Sequence, residues 1–197
     1  MTRTPFFLAL TGALLSLAGL LACGGGGGGG GTAAAAGPSL ALVYTDPPAT
    51  GYRFVRDAQL STASHLVLDL VGPASDQGRG VAFALQITPG VVGWAKVAAA
   101  DPQYLQNALF DPGPGVPLLK SALQGGTTLL ADDFQKGAGN GKLLTGTICR
   151  VALDTQAALT TAGGIALAVT DFRLLPATGA SLTDLTANCA VGTLTVQ

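Results

Sequence analysis

The most regular feature of the chain is a period of two. Val81, Phe83, Leu85 and Ile87 alternate with Ala82, Ala84, Gln86 and Thr88, the pattern of a strand that buries one face. His65–Val71 repeats it, with Leu66, Leu68 and Leu70 on one face and Val67, Asp69 and Val71 on the other. Shorter apolar runs predict strands at Ser39–Tyr44, Tyr52–Ala58, Leu118–Leu123, Thr127–Phe134, Leu143–Leu153, Ile165–Leu175 and Leu185–Val196. Turn residues divide them: Asp46-Pro47-Pro48, Gly72-Pro73, Asp76–Gly80, Asp111–Gly115 and Gly137–Gly141. Along Ile165–Leu175 the apolar phase runs through Ile165, Leu167 and Val169, then moves to Phe172 and Leu174. A shift of one residue predicts a bulge. Asp101-Pro102 opens a short helical signal, with Tyr104, Leu105, Ala108 and Leu109 as its apolar stripe. Ala157–Thr161 reads as one helical turn or a loop. Helices of crossover length are missing between the strands, which argues against a parallel α/β sheet. The expectation is an all-β chain, an antiparallel β-sandwich of jelly-roll type with about nine strands.

The first 22 residues follow a different logic. Arg3 supplies a positive start, and an apolar stretch runs from Phe6 to Leu21, the order of a secretory signal. It ends in Leu20-Leu21-Ala22-Cys23, which resembles the lipobox of bacterial lipoproteins. Cys23 is then the expected lipidated residue; ordinary secretion would leave it a free thiol. Residues 23–37 form a Gly/Ala tether after the anchor, a composition that behaves as a flexible coil. Gly24, not Asp, follows Cys23, and by analogy with enteric bacteria this directs the chain to the outer membrane. Residues 38–197 remain for one folded domain.

Composition sharpens the picture. All 11 acidic residues are Asp, and Gly and Pro number 29 and 11, which disfavours a helical bundle. A hydrophobic content of 48% with only 11% charged residues argues against disorder of the body. A net charge of −1 gives no basic footprint for nucleic acid.

The runs Leu66–Val71, Gly80–Ile87, Gly141–Leu153 and Gly164–Asp171, in that order, resemble cohesin domains. The resemblance spans about residues 40–197 and rests on hydrophobic phase and spacing. It implies a nine-stranded jelly-roll sandwich shared with some cellulose-binding modules, and a dockerin as partner. The chain departs from a cellulosomal setting: it has no Asp-x-Asn-x-Asp-Gly loop and no catalytic module.

Candidate chemistry is sparse. His65 is the only histidine, and neighbouring Ser61 and Ser64 lack a nucleophile-elbow context, so no catalytic residue is assigned. Cys149 and Cys189 form an even pair in an exported chain, which points to a disulfide; two buried free thiols are the alternative. Their spacing fits no zinc motif, and no metal or other cofactor is assigned. Asp132-Asp133, with Asn140, reads as a solvated strand end or as oxygen donors to calcium. Trp94 and Tyr104 are the aromatics assigned to ligand binding, by stacking on a sugar; Trp94 plugging one end of the sandwich is the alternative. The chain therefore reads as a non-catalytic, lipid-anchored binding module of the bacterial envelope. Its partner is a protein, dockerin-like or another envelope protein. A carbohydrate-binding lipoprotein of the same fold is the alternative.

Overall fold

A computed structural model describes residues 40–113, 118–137 and 140–197. The signal, Cys23 and the tether lie outside the described residues. In chain order the strands are β1 (Leu42–Thr45), β2 (Tyr52–Arg56), β3 (His65–Val71), β4 (Gln77–Ile87), β5 (Val92–Ala95), β6 (Leu105–Asn107), β7 (Leu119–Gln124), β8 (Thr128–Phe134), β9 (Lys142–Leu143), β10 (Thr147–Thr155), β11 (Gly163–Ile165), β12 (Leu167–Pro176), β13 (Thr183–Asp184), β14 (Cys189–Ala190) and β15 (Thr193–Val196). One sheet has the order β14-β2-β3-β10-β5, with β6 also on β10. The second has the order β13-β12-β4-β8-β7, with β9 on β4. A short third sheet, β1-β15-β11, brings the described ends of the chain together. The β14–β2 pair is parallel; the long central pairs are antiparallel.

The core lies between the two larger sheets. Leu66, Leu68 and Leu70 of β3 and Val151 and Leu153 of β10 face Val81, Phe83, Leu85 and Ile87 of β4. Phe54 of β2 meets Phe83 of β4 edge-on, with ring centroids 5.3 Å apart, and Tyr52 lies 4.7 Å from Phe172 of β12. The third sheet is tied in through Tyr44. Its hydroxyl donates to the Phe54 carbonyl at 2.8 Å and accepts from the Gly192 amide. Burial holds the Tyr44 phenol well above its ordinary pKa.

The all-β sandwich is as expected from the alternation, and the bulge falls between Val169 and Asp171. Local expectations need four corrections. Several predicted strands are subdivided, so the described residues form fifteen strands, some of two or three residues. Leu143–Leu153 becomes β9 and β10, and Leu185–Val196 becomes a 3-10 turn at Thr186–Asn188 followed by β14 and β15. The helical signal at Asp101 gives no helix. Asp101 accepts from the Ala98 amide instead, and Leu105 enters the core on β6, opposite Val151. The Asn107 side chain then accepts from the Leu109 and Phe110 amides, so a side-chain turn takes the place of helix bonds.

Cys149 and Cys189 are free thiols, not a disulfide. Cys149 is on β10 and Cys189 on β14, with β2 and β3 between them. Three strand spacings are roughly 14 Å, twice the Cα separation a disulfide spans. Burial pushes both thiols up, Cys189 to about 12.

Asp132-Asp133 is not a solvated pair. Neighbours on a strand point to opposite faces, and Asp133 points inward. It is completely buried, and neither carboxylate oxygen has a hydrogen-bond partner. Desolvation pushes its carboxyl up to about 7, so the proton is held where bulk water would release it.

Two predictions follow from this core. An Asp carboxyl raised from about 4 to about 7 stabilises the fold most below pH ~4, and about 4 kcal/mol of that is lost as pH rises through 7. Urea unfolding at stepped pH should show this loss in the native chain, and Asp133→Asn should flatten it. Equal slopes in both proteins would refute the buried-acid account. The second concerns Gly80 of β4: a Cβ there would collide with the ring of Phe134, which occupies the space. Gly80→Val should cost about 1–3 kcal/mol through displacement of that ring, read as a lower urea midpoint.

Candidate binding face

The outward phase of β4 is made of small and polar residues, and its neighbours continue that surface. The register aligns side chains into rows across the sheet. One row is Ala168, Gln86, Thr128 and Gln124. The next is Asp171, Ala84, Leu130 and Ala122. The third is Arg173, Ala82, Asp132 and Lys120. Beyond it, Leu175 and Phe134 flank Gly80. The middle of the face is thus alanine, with Leu130 standing out at 40% exposure.

Opposite charges border this apolar patch. Asp132 and Lys120 face each other across β8 and β7. Burial pushes the Asp132 carboxyl up, and the Lys120 ammonium pulls it part of the way back. On the far side Arg173 pairs with Asp171 at 3.0 Å. A shallow groove of about 510 Å³ runs along β7, lined by Gln103, Lys120, Ala122, Leu130 and Asp132 among others. A flat apolar centre inside a polar rim is the anatomy of a protein interface.

The free edge of β7 is covered at its centre. The Ser121 amide donates to Gln103 Oε1 at 3.1 Å, and the Tyr104 amide donates to Ser121 Oγ at 2.8 Å. Such side-chain cover discourages strand addition, which leaves the face as the accessible surface.

On the outer face of the opposite sheet the charged groups pair with one another, although Asp69 Oδ1 and Arg150 Nε are buried without a hydrogen bond. Arg150 of β10 lies 2.9 Å from Asp69 of β3 and 3.5 Å from Asp57. Its Nη1 donates to Gln106 Oε1, and the Thr147 hydroxyl donates to Asp69. Burial raises the Asp69 carboxyl; Thr147 and Arg150 oppose that rise. His65 caps the end of this row, with Nδ1 at 2.5 Å from Asp154 and Nε2 at 3.2 Å from the Val97 carbonyl. Both ring nitrogens are occupied by acceptors, and neither contacts a hydroxyl.

The aromatics assigned to a ligand are elsewhere. Trp94 is only 6% exposed, and its indole N–H donates to the Thr127 carbonyl at 2.9 Å. It bridges the two sheets at one end of the sandwich, so it is core and not a stacking platform. Tyr104 is half-buried against the same core. The residues that form the face were missed because nothing in their chemistry marks them. The signal available was the second phase of β4, Ala82-Ala84-Gln86, too small and uncharged for an ordinary exposed sheet.

No protein-family model matches the chain, and no curated protein matches it. Solved structures do. A type II cohesin dyad from the adaptor ScaA scaffoldin of Acetivibrio cellulolyticus superposes with a TM-score of 0.50 at 13% identity, over 75% of this chain and 48% of that one. A type II cohesin domain from the cellulosome of the same organism gives 0.49 at 12% identity, over 76% and 95%. The cohesin module of a Clostridium perfringens family 33 glycoside hydrolase gives 0.40 at 8% identity, over 78% and 98%. With the sheet orders and register above, the fold is cohesin-like.

Proposed function

We propose that this chain is a non-catalytic, lipid-anchored module of the bacterial envelope that holds a protein partner on its β12-β4-β8-β7 face. The observation that carries the reading is the face itself: an alanine floor around exposed Leu130, rimmed by Lys120/Asp132 and Asp171/Arg173. A small-residue floor lets a partner backbone approach closely, and a central apolar side chain with bordering charges supplies an anchor and a register. The resemblance to cohesins, whose partners are dockerins, supports a dockerin-like or other envelope protein. Cys23 is the lipid anchor in this reading, with the outer membrane as its destination.

The test uses the full chain to capture partners from solubilised envelope. Wild type and Arg53→Ala, on the outer face of the other sheet, should recover the same protein. Leu130→Asp should lose it by at least about tenfold, the equivalent of roughly 1.4 kcal/mol at a central contact, with an unchanged circular dichroism spectrum. Capture that survives Leu130→Asp would remove the face from the reading. Cys23→Ser should move the chain from the membrane fraction to the soluble one.

A further inference from the structure

Asp133 is the one fully buried side chain of charged type among the described residues, and neither carboxylate oxygen has a hydrogen-bond partner. The register places it between Val81 of β4 and Leu119 of β7. Its cover is unequal. Val81 and, on β10 of the opposite sheet, Cys149 are completely buried. Leu119 is half-buried, at the first position of an edge strand whose six residues include none that is fully buried. β7 has a single strand neighbour, β8, and is otherwise fastened at its centre by Gln103 and Tyr104 through Ser121. The route from the Asp133 carboxyl to water that displaces least therefore runs past Leu119.

The charged groups around it are engaged elsewhere. On β8 the neighbouring Asp132 points to the outer face, opposite Lys120 of β7. On β4, Arg79 donates to the Pro176 and Gly179 carbonyls. On β10, Arg150 lies on the outer face with Asp69 and Asp57. The inward group of β10 is the Cys149 thiol, pushed up by burial and next by the Asp133 charge. Beyond β8 the Lys136 amide donates to the Asp111 carbonyl, and the Asp111 side chain accepts from the Gly113 amide. Desolvation is accordingly what raises the Asp133 carboxyl.

We propose that Asp133 is a proton-operated latch under β7: its neutral carboxyl lets Leu119 close over it, and its carboxylate draws water in past Leu119 and lifts the start of the strand. A carboxylate without donors or a counter-charge is costly to keep dry, and a thinly packed edge strand opens at a small fraction of the global unfolding free energy. The sign follows from linkage. The closed state holds the proton more tightly than the open one, in which the carboxyl meets water. Acid therefore keeps β7 down. Between pH ~4 and about 7, each unit of pH raises the open fraction by up to about tenfold. Opening takes Lys120 away from Asp132 and parts the groove that Leu119, Lys120 and Asp132 line. Control of partner binding by this movement rests on the docking reading above; the latch itself does not.

Hydrogen exchange of the full chain, read by mass spectrometry and corrected for intrinsic exchange, tests the latch. The peptide spanning Leu119–Gln124 should lose protection by at least about tenfold from about pH 5 to about pH 7. Urea below the unfolding transition should leave that loss unchanged, because a local opening exposes little surface. Asp133→Asn should make the protection of β7 flat with pH; Asp133→Leu takes its place if the amide variant fails to fold. Three results would overturn the inference. One is β7 protection that does not change with pH. Another is a change that persists in the folded variant. The third is a β7 that exchanges with the same protection and the same urea dependence as Thr147–Thr155, the behaviour of global unfolding. Failure of the docking reading is separate: β7 opening with equal partner capture in acid and at neutrality supports the latch and removes β7 from the docking surface.

Discussion

The alternation of β4 is the constraint on which the rest of the molecule depends. Its inward phase, Val81, Phe83, Leu85 and Ile87, is no more than 3% exposed at any position. Each such side chain contributes about 1.5–3 kcal/mol of burial, so the register of this strand cannot slip without turning its core residues to solvent. Both neighbours, β8 and β12, take their register from it. The same constraint fixes what is left over. Once the odd positions are committed to the core, Ala82, Ala84 and Gln86 become the middle of the outer face.

That asymmetry explains what could be read in advance. The sandwich was legible because inward positions must be apolar and must repeat every second residue, which also exposed the bulge near Thr170. The helical signal at Asp101 misled because Tyr104, Leu105, Ala108 and Leu109 satisfy two geometries, and pairing of Leu105 with Val151 on β10 decided between them. The disulfide depended on which strands became neighbours. Spacing along the chain carries no information about the two strands that separate Cys149 from Cys189. The outer face was illegible for a simpler reason: outward positions need not repeat an apolar residue every second place, so Ala82, Ala84 and Leu130 leave no periodic signal.

Polar groups follow the same division of labour. On the outer face of the β3–β10 sheet, Arg150 forms ion pairs with Asp69 and Asp57 and donates to Gln106, and His65 is closed by Asp154 and Val97. That face has little left to offer a ligand. Asp133 is the exception inside the core, a carboxyl with no partner among Val81, Leu119 and the rest of the inward surface. Its neighbour Asp132 meets Lys120 on the outer face. One residue of offset along β8 therefore separates a rim charge from a buried acid that weakens the fold as it ionises.

The absence of glutamate and the scarcity of lysine have a spatial consequence. With charge at 11% of residues, the chain cannot cover its whole surface with ions, and on the β12-β4-β8-β7 face the charges stand as the pairs Asp132/Lys120 and Asp171/Arg173. The alanine floor is then bordered by charges of both signs, an arrangement suited to fixing the register of a docked surface.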